Sequence, residues 1–273
     1  MSLPLFKARR PAHEHGLTAR LFAATISVAA LSTAAAAADM PLKAPPAPTA
    51  YQWTGCYLGI NGGAGASASN SDATVGTGTY LTGTDPATVG ADGSGSANQT
   101  KLIGGGQLGC NWQANTVVFG IEGDFDYFHS NSNFYNNTDT LADGVTTFVA
   151  GQSLTTNYLA TVRPRIGIAA DRNFAYITGG VAFTEANYTV SFADAAGAVG
   201  SASASKSLIG WVVGAGWEHA FADHWTLRFE YLFSSFPSTS ASGTIVGPGG
   251  SNPLSGSGDL VIQVARAGLN YKF

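Results

Sequence analysis

The sequence predicts an all-β fold, an eight-stranded antiparallel transmembrane β-barrel with short periplasmic turns and long extracellular loops. Three observations lead to this prediction. Apolar residues recur at every second position in eight segments, which is the period of β-strands. The connections between those segments are alternately turn-sized and long. The amino terminus has the features of an export signal, which places the rest of the chain outside the cytoplasm.

Residues 1–38 are predicted to be a signal peptide. The segment begins with a basic region that contains Lys7, Arg9, Arg10 and Arg20. An apolar core from Leu21 to Ser32 follows, and it is too short to span a bilayer. The small residues after this core predict cleavage after Ala38.

Two further regions follow the predicted cleavage site. Residues 39–52 contain four prolines and are predicted to form a stiff, extended periplasmic segment. Residues 53–273 are assigned to the barrel. Removing residues 1–38 takes away four basic residues and Glu14, which leaves 9 Lys and Arg against 16 Asp and Glu, a formal charge of −7. This acidic chain has no basic stripe of the kind that binds nucleic acid.

The composition fits a membrane barrel better than a soluble domain. Only 11% of the residues are charged, whereas an ordinary soluble domain has about a quarter. The chain contains 35 Gly, but its 15 Phe, 10 Tyr and 5 Trp argue against general disorder. After the signal peptide, no run of apolar residues is long enough for a transmembrane helix.

The alternating segments define eight predicted strands in chain order. They are Thr54–Gly65, Lys101–Gln113, Val117–Phe128, Tyr158–Ala170, Phe174–Ala186, Ser207–Ala220, Trp225–Ser235 and Leu260–Phe273. Three connections are short, with the sequences ANT, DRN and FADH. The other connections are long and polar, at 66–100, 129–157, 187–206 and 236–259. Outer-membrane barrels sort their connections in this way, with short turns inside and long loops outside.

Each strand has one face without formal charge. Its members are Cys56, Leu58, Ile60, Leu108, Cys110, Trp112, Phe119, Ile121, Phe125, Tyr127, Val162, Ile166, Ile168, Ile177, Val181, Phe183, Trp211, Val213, Trp217, Leu227, Phe229, Tyr231, Phe233, Ala265, Ala267, Leu269, Tyr271 and Phe273. A Lys or Arg on a lipid-facing surface near the bilayer midplane costs about 2–4 kcal/mol. We therefore expect this face to contact lipid.

The opposite face is polar and is expected to line the lumen. Its members are Tyr57, Gly59, Asn61, Gln107, Asn111, Glu122, Asp124, Asp126, Thr161, Arg163, Arg165, Tyr176, Thr178, Gly214, Gly216, Glu218, Arg228, Glu230, Arg266, Gly268 and Asn270. Aromatic residues near the strand ends are expected to form girdles at the two membrane interfaces. They are Trp53, Tyr57, Trp112, Phe119, Tyr127, Phe174, Trp217, Trp225, Tyr271 and Phe273.

The last strand is expected to pair with the first. In VARAGLNYKF, Arg266 belongs to the lumen set, and the flanking Ala265 and Ala267 belong to the lipid set. A strand that reaches the end of the chain can close the ring without leaving an open edge in lipid.

These segments resemble those of a known family. The motifs WTGCYLGINGGAG, VFGIEGDFDY, TVRPRIGIA, YITGGVAF, GWVVGAGWEHAF, LRFEYLF and VARAGLNYKF are similar to those of the small outer-membrane β-barrel proteins (porin-like, opacity-type) of alphaproteobacteria, which are akin to the eight-stranded OmpA and OmpX barrels. The resemblance implies the outer membrane of a Gram-negative bacterium, contact with its lipid and lipopolysaccharide, and insertion by the barrel-assembly machinery through Leu269, Tyr271 and Phe273. Cys56 and Pro164 depart from the family pattern. Pro164 removes a ladder donor, so a bulge or a weak point is expected there.

The charged lumen residues are expected to form an ion-pair network. Its predicted members are Glu122, Asp124, Asp126, Arg163, Arg165, Glu218, Arg228, Glu230 and Arg266. Eight strands leave room for side chains but not for a wide pore, which favours a filled interior. A gated, narrow ion path is the alternative.

Three smaller features allow more than one interpretation. Cys56 and Cys110 lie near the periplasmic ends of neighbouring strands and could form a disulfide or remain free thiols. The GGGQLG sequence at 104–109 fits a nucleotide-binding pattern, but a strand and a turn follow it, so tight packing inside the barrel explains it better. His129 and Ser130 resemble only weakly the catalytic Ser and His of lipid-hydrolysing barrels. The sequence shows no spacing of residues typical of metal ligands.

The sequence as a whole favours a structural role. We expect a barrel that supports the envelope and displays polar loops, without enzymatic activity or a cofactor. A narrow porin for ions or very small solutes is one alternative. An adhesin that binds host or cell-surface ligands through its loops is another.

Overall fold

The computed structural model describes residues 50–135 and 138–273, most of which lie in β-strands. In chain order the elements are β1 (Gly55–Val75), α1 (Asp85–Gly93), β2 (Gly95–Ala114), β3 (Val117–Tyr135), β4 (Asp139–Thr140), β5 (Thr147–Ala170), β6 (Asn173–Asp194), β7 (Val199–Ala220), β8 (Trp225–Gly247) and β9 (Gly250–Lys272). The predicted signal peptide and most of the proline-rich segment lie outside the described residues. No helix in the described ranges is long and apolar enough to cross a membrane.

Eight of the strands form a closed antiparallel ring. Neighbours along the chain pair with each other, β3 pairs with β5, and β9 pairs with β1. In the closing pair, Leu58 lies opposite Tyr271 and Ala64 opposite Ala265. The two-residue β4 pairs with β5 alone and lies outside the ring. The predicted eight-stranded barrel and its closure by the last strand are confirmed.

The two strand faces lie as the alternation predicts. Large apolar side chains of the uncharged face are open on the outside of the ring, for example Ile60 at 68% and Ile168 at 66% exposure. The charged side chains of the opposite face are all buried inside the ring. The barrel is therefore inverted relative to a soluble protein, with apolar groups outside and charges inside.

Three residues assigned to the aromatic girdles instead point inward. Trp53 is only 1% exposed, Tyr57 is 4% exposed, and Phe174 is fully buried. Strand parity explains two of these positions, because Tyr57 and Phe174 share their faces with lumen residues such as Asn61 and Tyr176. The girdle assignment of Trp53, Tyr57 and Phe174 was therefore wrong.

The four predicted long loops are mostly strand. β1 continues to Val75, β5 starts at Thr147, and β7 starts at Val199, so the strands extend well beyond the apolar band. Only the connections after β1 and β3 are long, whereas β6–β7 and β8–β9 are joined by tight turns. In β1 the buried face of the extension consists of Ser67, Ser69 and Ser71, so the hydrophobic alternation is weak there. In β6 the alternation is present, because buried Tyr188, Val190 and Phe192 alternate with polar residues, but the apolar face points inward.

Glycines of the GGGQLG segment make room for lumen side chains. A Cβ on Gly109 would lie 2.4 Å from the Tyr57 hydroxyl, and a Cβ on Gly105 would lie 2.3 Å from Asp126 Oδ1. The segment lies within β2, where it serves packing. At Pro164 the β5–β6 ladder skips two pairs without changing register, so this point is a weak place in the ladder and not a bulge.

Candidate functional site

The lumen contains a layer of charged side chains that belong to five strands. Glu122, Asp124 and Asp126 alternate along β3, and Arg163 and Arg165 alternate along neighbouring β5. The remaining members are Glu218 on β7, Arg228 and Glu230 on β8, and Arg266 on β9. The period-two geometry places every second side chain of each strand in the lumen, which is why these residues meet.

Arg266 contacts three carboxylates. Its Nη2 lies 2.6 Å from Glu230 Oε2, and its Nη1 lies 3.2 Å from Asp124 Oδ1 and also pairs with Asp126. The side chains of Arg266, Asp124 and Asp126 have no solvent exposure. A charge buried in this way is tolerated only when it is paired and hydrogen-bonded.

Arg163 connects the two neighbouring strands β3 and β5. Its Nη2 lies 2.8 Å from Glu122 Oε1 and 2.9 Å from Asp124 Oδ2. The same nitrogen lies 3.3 Å from Glu230 Oε2, across the lumen on β8. Arg163 therefore ties one wall of the barrel to the opposite one.

Arg165 and Arg228 complete the charged layer. Arg165 Nη1 lies 3.3 Å from Glu218 and 3.5 Å from Glu122, and Arg228 Nη1 pairs with Glu122. The guanidinium carbon of Arg165 is also 4.8 Å from the Tyr57 ring centroid and 5.1 Å from that of Tyr176. All nine predicted network residues are thus brought together by the fold.

Neutral side chains add hydrogen bonds that the ion-pair prediction did not include. Tyr176 donates to Glu230 at 2.9 Å, Thr161 donates to Asp124 at 2.6 Å, and Asn270 donates to Glu218 at 2.9 Å. Tyr57 donates to Glu122, and Thr226 donates to Glu218. Strand parity placed most of these residues in the lumen, and that signal was sufficient to find them.

An apolar layer lies on the extracellular side of the charges. Its fully buried side chains include Phe128, Leu159, Leu232, Ile262 and Val264. A Cβ on Gly65 would lie 2.6 Å from the Phe128 ring, so this ring on β3 passes the inner side of β2 and contacts β1. The prediction of a polar lumen holds only for the charged layer, because apolar residues fill the barrel beyond it.

The periplasmic mouth is closed by the residues that precede β1. The Trp53 indole donates to the backbone oxygen of Asp171 at 3.0 Å, and its ring centroid is 5.2 Å from that of Phe174. Tyr51 packs against Trp53 with ring centroids 5.0 Å apart, and burial raises the pKa of Tyr51 to about 12. These aromatic side chains cover the charged layer from below.

The extracellular mouth is covered by the connection between β1 and β2, which contains α1. Leu81 and Val89 are buried beneath this connection. The Asn252 side chain accepts from the backbone N–H of Leu81 at 2.7 Å and donates to the Leu81 oxygen at 2.9 Å. Tyr80 donates to Asp194 at 2.6 Å, and burial together with this bond raises the pKa of Tyr80 to about 12. The bond therefore persists at neutral pH.

Cys56 and Cys110 lie directly opposite each other on β1 and β2, and their sulfurs are bonded. Both residues belong to the outward-facing set near the periplasmic end of the barrel. The disulfide links two neighbouring strands, and the two cysteines are 54 positions apart in the sequence.

We expect no free thiol in the purified protein. Alkylation under denaturing, non-reducing conditions should leave the mass unchanged, whereas prior reduction should add two alkyl groups. Mass spectrometry of the intact chain makes this measurement. Two modified cysteines without reductant would show that the bond is absent.

His129 and Ser130 do not form a catalytic pair. His129 is exposed on the outer wall, where its ring Nδ1 lies 2.8 Å from Asn157 Oδ1. Ser130 faces the interior, and its hydroxyl lies 2.5 Å from that of Ser67. Among the described residues, no group of three or more His, Cys, Asp or Glu side chains is arranged to hold a metal ion.

The three residues of the predicted insertion signal share one outward row of β9. Tyr271 is 38% exposed and Phe273 is 71% exposed, and Leu269 lies between exposed neighbours on the same face. Tyr271 also packs edge-on against Trp225, with ring centroids 5.1 Å apart. Their recognition by the assembly machinery stays a prediction.

The closed ring, the apolar exterior and the charged, filled interior define an outer-membrane β-barrel. The chain belongs to the outer membrane protein beta-barrel domain family, whose sequence model matches residues 23–273. The predicted family resemblance is thereby confirmed.

Two Brucella proteins and a solved barrel are among its relatives. The 31 kDa outer-membrane immunogenic protein of Brucella melitensis is 33% identical over 258 residues, which cover 90% of this chain and 97% of that protein. The 25 kDa outer-membrane immunogenic protein of Brucella abortus is 24% identical over 250 residues, covering 89% and 92%. The outer membrane protein OprG from Pseudomonas aeruginosa aligns with a TM-score of 0.39 and 11% identity, over 82% of this chain and 99% of that one. The family and the Brucella relatives place this chain in the outer membrane of a Gram-negative bacterium.

Proposed function

We propose that this protein is a closed structural barrel that supports the outer membrane and displays its strand extensions at the cell surface. The filled lumen is the observation that carries this proposal. Aromatic side chains, a charged layer and an apolar layer follow one another from the periplasmic mouth outward. The ion pairs hold the wall rigid from inside, because each arginine contacts carboxylates of more than one strand.

The same interior argues against the alternative of a narrow porin. A permeating ion would have to cross the layer that contains Phe128, Leu159 and Leu232, where the few polar side chains, such as Thr184 and Ser234, are buried among apolar ones and cannot replace its full hydration shell. It would also have to displace arginines that are already paired with carboxylates. Both steps carry large free-energy costs.

We expect the purified protein to give no steady ion conductance in a planar lipid bilayer. The measurement is a single-channel recording at a constant potential, with a general diffusion porin inserted under the same conditions as the positive control. Heat-modifiable migration on a gel checks that the sample is folded. Reproducible unitary openings from the folded sample would contradict the closed-barrel proposal.

Surface display is supported by the outer parts of the strands. On β7, Ser201, Ser203 and Ser205 are exposed between Ile209, at the edge of the apolar band, and Val199, at the outer end of the strand. The extension from Val199 to Ile209 is about 33 Å long at roughly 3.3 Å per residue, so it reaches past the headgroups. Binding of host or cell-surface ligands by these extensions stays a prediction, as does contact with lipopolysaccharide.

A further inference from the structure

The pairing between β7 and β8 is interrupted just beyond the apolar band. Val199 pairs with Val246 and Gly200 pairs with Ile245, and the ladder then resumes only at Trp211 and Ser235. Over residues 201–210 and 236–244 the facing edges of these strands have no ladder partners. Unpaired backbone groups at a membrane surface need another hydrogen-bonding partner.

Side-chain exposure shows that the wall is open at this place. Ser205, Lys206 and Ser207 are all exposed although they are consecutive, and so are Pro237 and Ser238 on β8. In an intact barrel wall every second residue is buried, so consecutive exposure means that both faces of the strand are accessible. Pro237 also lacks the N–H group that a ladder requires.

A groove of about 480 Å³ lies at the lower end of this opening. It is lined by Ile209, Gly210, Trp211, Ser235, Phe236 and Pro237. A Cβ on Gly210 would lie 2.2 Å from the Ser235 backbone oxygen, so the missing side chain lets the strands approach at the floor of the groove. The groove is continuous with the lipid-facing surface, because Ile209 and Trp211 are 63% and 52% exposed on the outside of the barrel.

Lys206 supplies a positive charge beside this groove, at the height of the lipid headgroups. It belongs to the inward face of β7, opposite the buried Ala186, but its side chain is exposed where the wall is open. Lys206 is three residues beyond Ile209, or about 10 Å along the strand and less after tilting. The headgroup region of a bilayer is of similar thickness. Within the described part of the chain, Lys206 takes part in none of the ion pairs.

We propose that the opening between β7 and β8 binds a phosphorylated lipid of the outer leaflet. One acyl chain lies in the groove against Ile209, Trp211 and Phe236. The phosphate contacts Lys206 and the unpaired backbone N–H groups of the facing strand edges. The lipid thus seals a gap that the protein leaves in its own wall.

The test uses the full-length protein extracted from the membrane in detergent. Native mass spectrometry measures its binding of dioleoyl phosphatidic acid and of dioleoyl phosphatidylcholine, which share their acyl chains. We expect the wild type to prefer phosphatidic acid by roughly fivefold, the effect of one partly exposed charge contact. Lys206→Gln should remove this preference. Ser235→Phe, which fills the groove from its outward face, should lower the binding of both lipids.

Arg172→Gln is the charge control, because Arg172 is a 40% exposed cation in the turn between β5 and β6, at the periplasmic end of the barrel and away from the outer leaflet. This variant should keep the wild-type preference, and heat-modifiable migration checks the folding of every variant. An equal loss in Arg172→Gln and Lys206→Gln would overturn the proposal by showing a general charge effect. Unchanged binding in Lys206→Gln would overturn it as well, and that variant alters only an exposed side chain.

Discussion

Arg266→Met is expected to lower the free energy of unfolding by about 3–5 kcal/mol, the cost of removing one partner from a buried ion-pair network. Arg266 pairs with Asp124, Asp126 and Glu230, and each of these side chains is at most 1% exposed. Methionine has a similar length but no charge. It leaves Asp126 without an arginine partner and leaves Asp124 and Glu230 to share Arg163. Urea unfolding of the detergent-solubilised barrel, followed by tryptophan fluorescence, measures the change.

Arg172→Met is the matched control for this substitution. Arg172 pairs with Asp223 at 3.0 Å, but the two side chains are 40% and 83% exposed. An exposed pair contributes about 0–1 kcal/mol, so a small change is expected. Adding Asp126→Asn to Arg266→Met should recover part of the lost stability, because Asp126 pairs with Arg266 and with no other arginine among the described residues. An effect of Arg266→Met no larger than that of Arg172→Met would show that the network does not stabilise the barrel.

Ala215→Arg is expected to destabilise the barrel by about 2–4 kcal/mol in phospholipid vesicles, because it places a charge on the lipid-facing surface near the midplane. Ala215 is exposed on β7 between Trp211 and Trp217, which lie toward the two sides of the apolar band. The small alanine makes this site a test of polarity alone, since little packing is lost. The measurement is again reversible unfolding in urea.

Two control variants separate charge from size and from depth. Ala215→Leu adds bulk without charge and should change the stability little. Ser203→Arg places the same charge on the same strand beyond the apolar band, where a surface substitution changes stability by about 0.5 kcal/mol or less. If Ala215→Arg were as stable as Ser203→Arg, the outward face at Ala215 would not be in lipid.

Contacts between side chains on neighbouring strands could be predicted from the sequence, because consecutive strands pair and every second side chain faces the lumen. Glu122 and Arg163 lie directly opposite each other, as expected for strands that are consecutive in the predicted order, although the long connection at 129–157 joins them. The contact of Arg163 with Glu230 was not predictable in the same way. These residues lie on opposite walls, and their distance depends on the tilt and stagger of all eight strands.

The outer half of the barrel shows where the sequence signal failed. The strand extensions are polar on their outer face, and small residues such as Ser67, Ser69 and Ser71 are frequent on their inner face. Where the two faces differ little, as in β1, the alternation is weak and the segment resembles a loop. In β6 the contrast is present at Tyr188, Val190 and Phe192, but it is reversed relative to the apolar band, with the apolar residues inside. The strand extensions are held in the sheet by backbone hydrogen bonds to neighbouring strands. Because backbone groups are the same in every sequence, these bonds give no sequence signal.

The alternation of side chains was enough to fix the strands of the apolar band, their inner and outer faces and the inverted polarity, since a strand imposes a period of two on any residue it contains. The folded chain was needed to show that Trp53 closes the periplasmic mouth, that Phe128 on β3 contacts Gly65 on β1 inside the barrel and that β7 and β8 separate beyond the membrane. Each of these features depends on contacts between residues far apart in the chain. Such contacts follow from the closure of the ring and leave no periodic trace in the sequence.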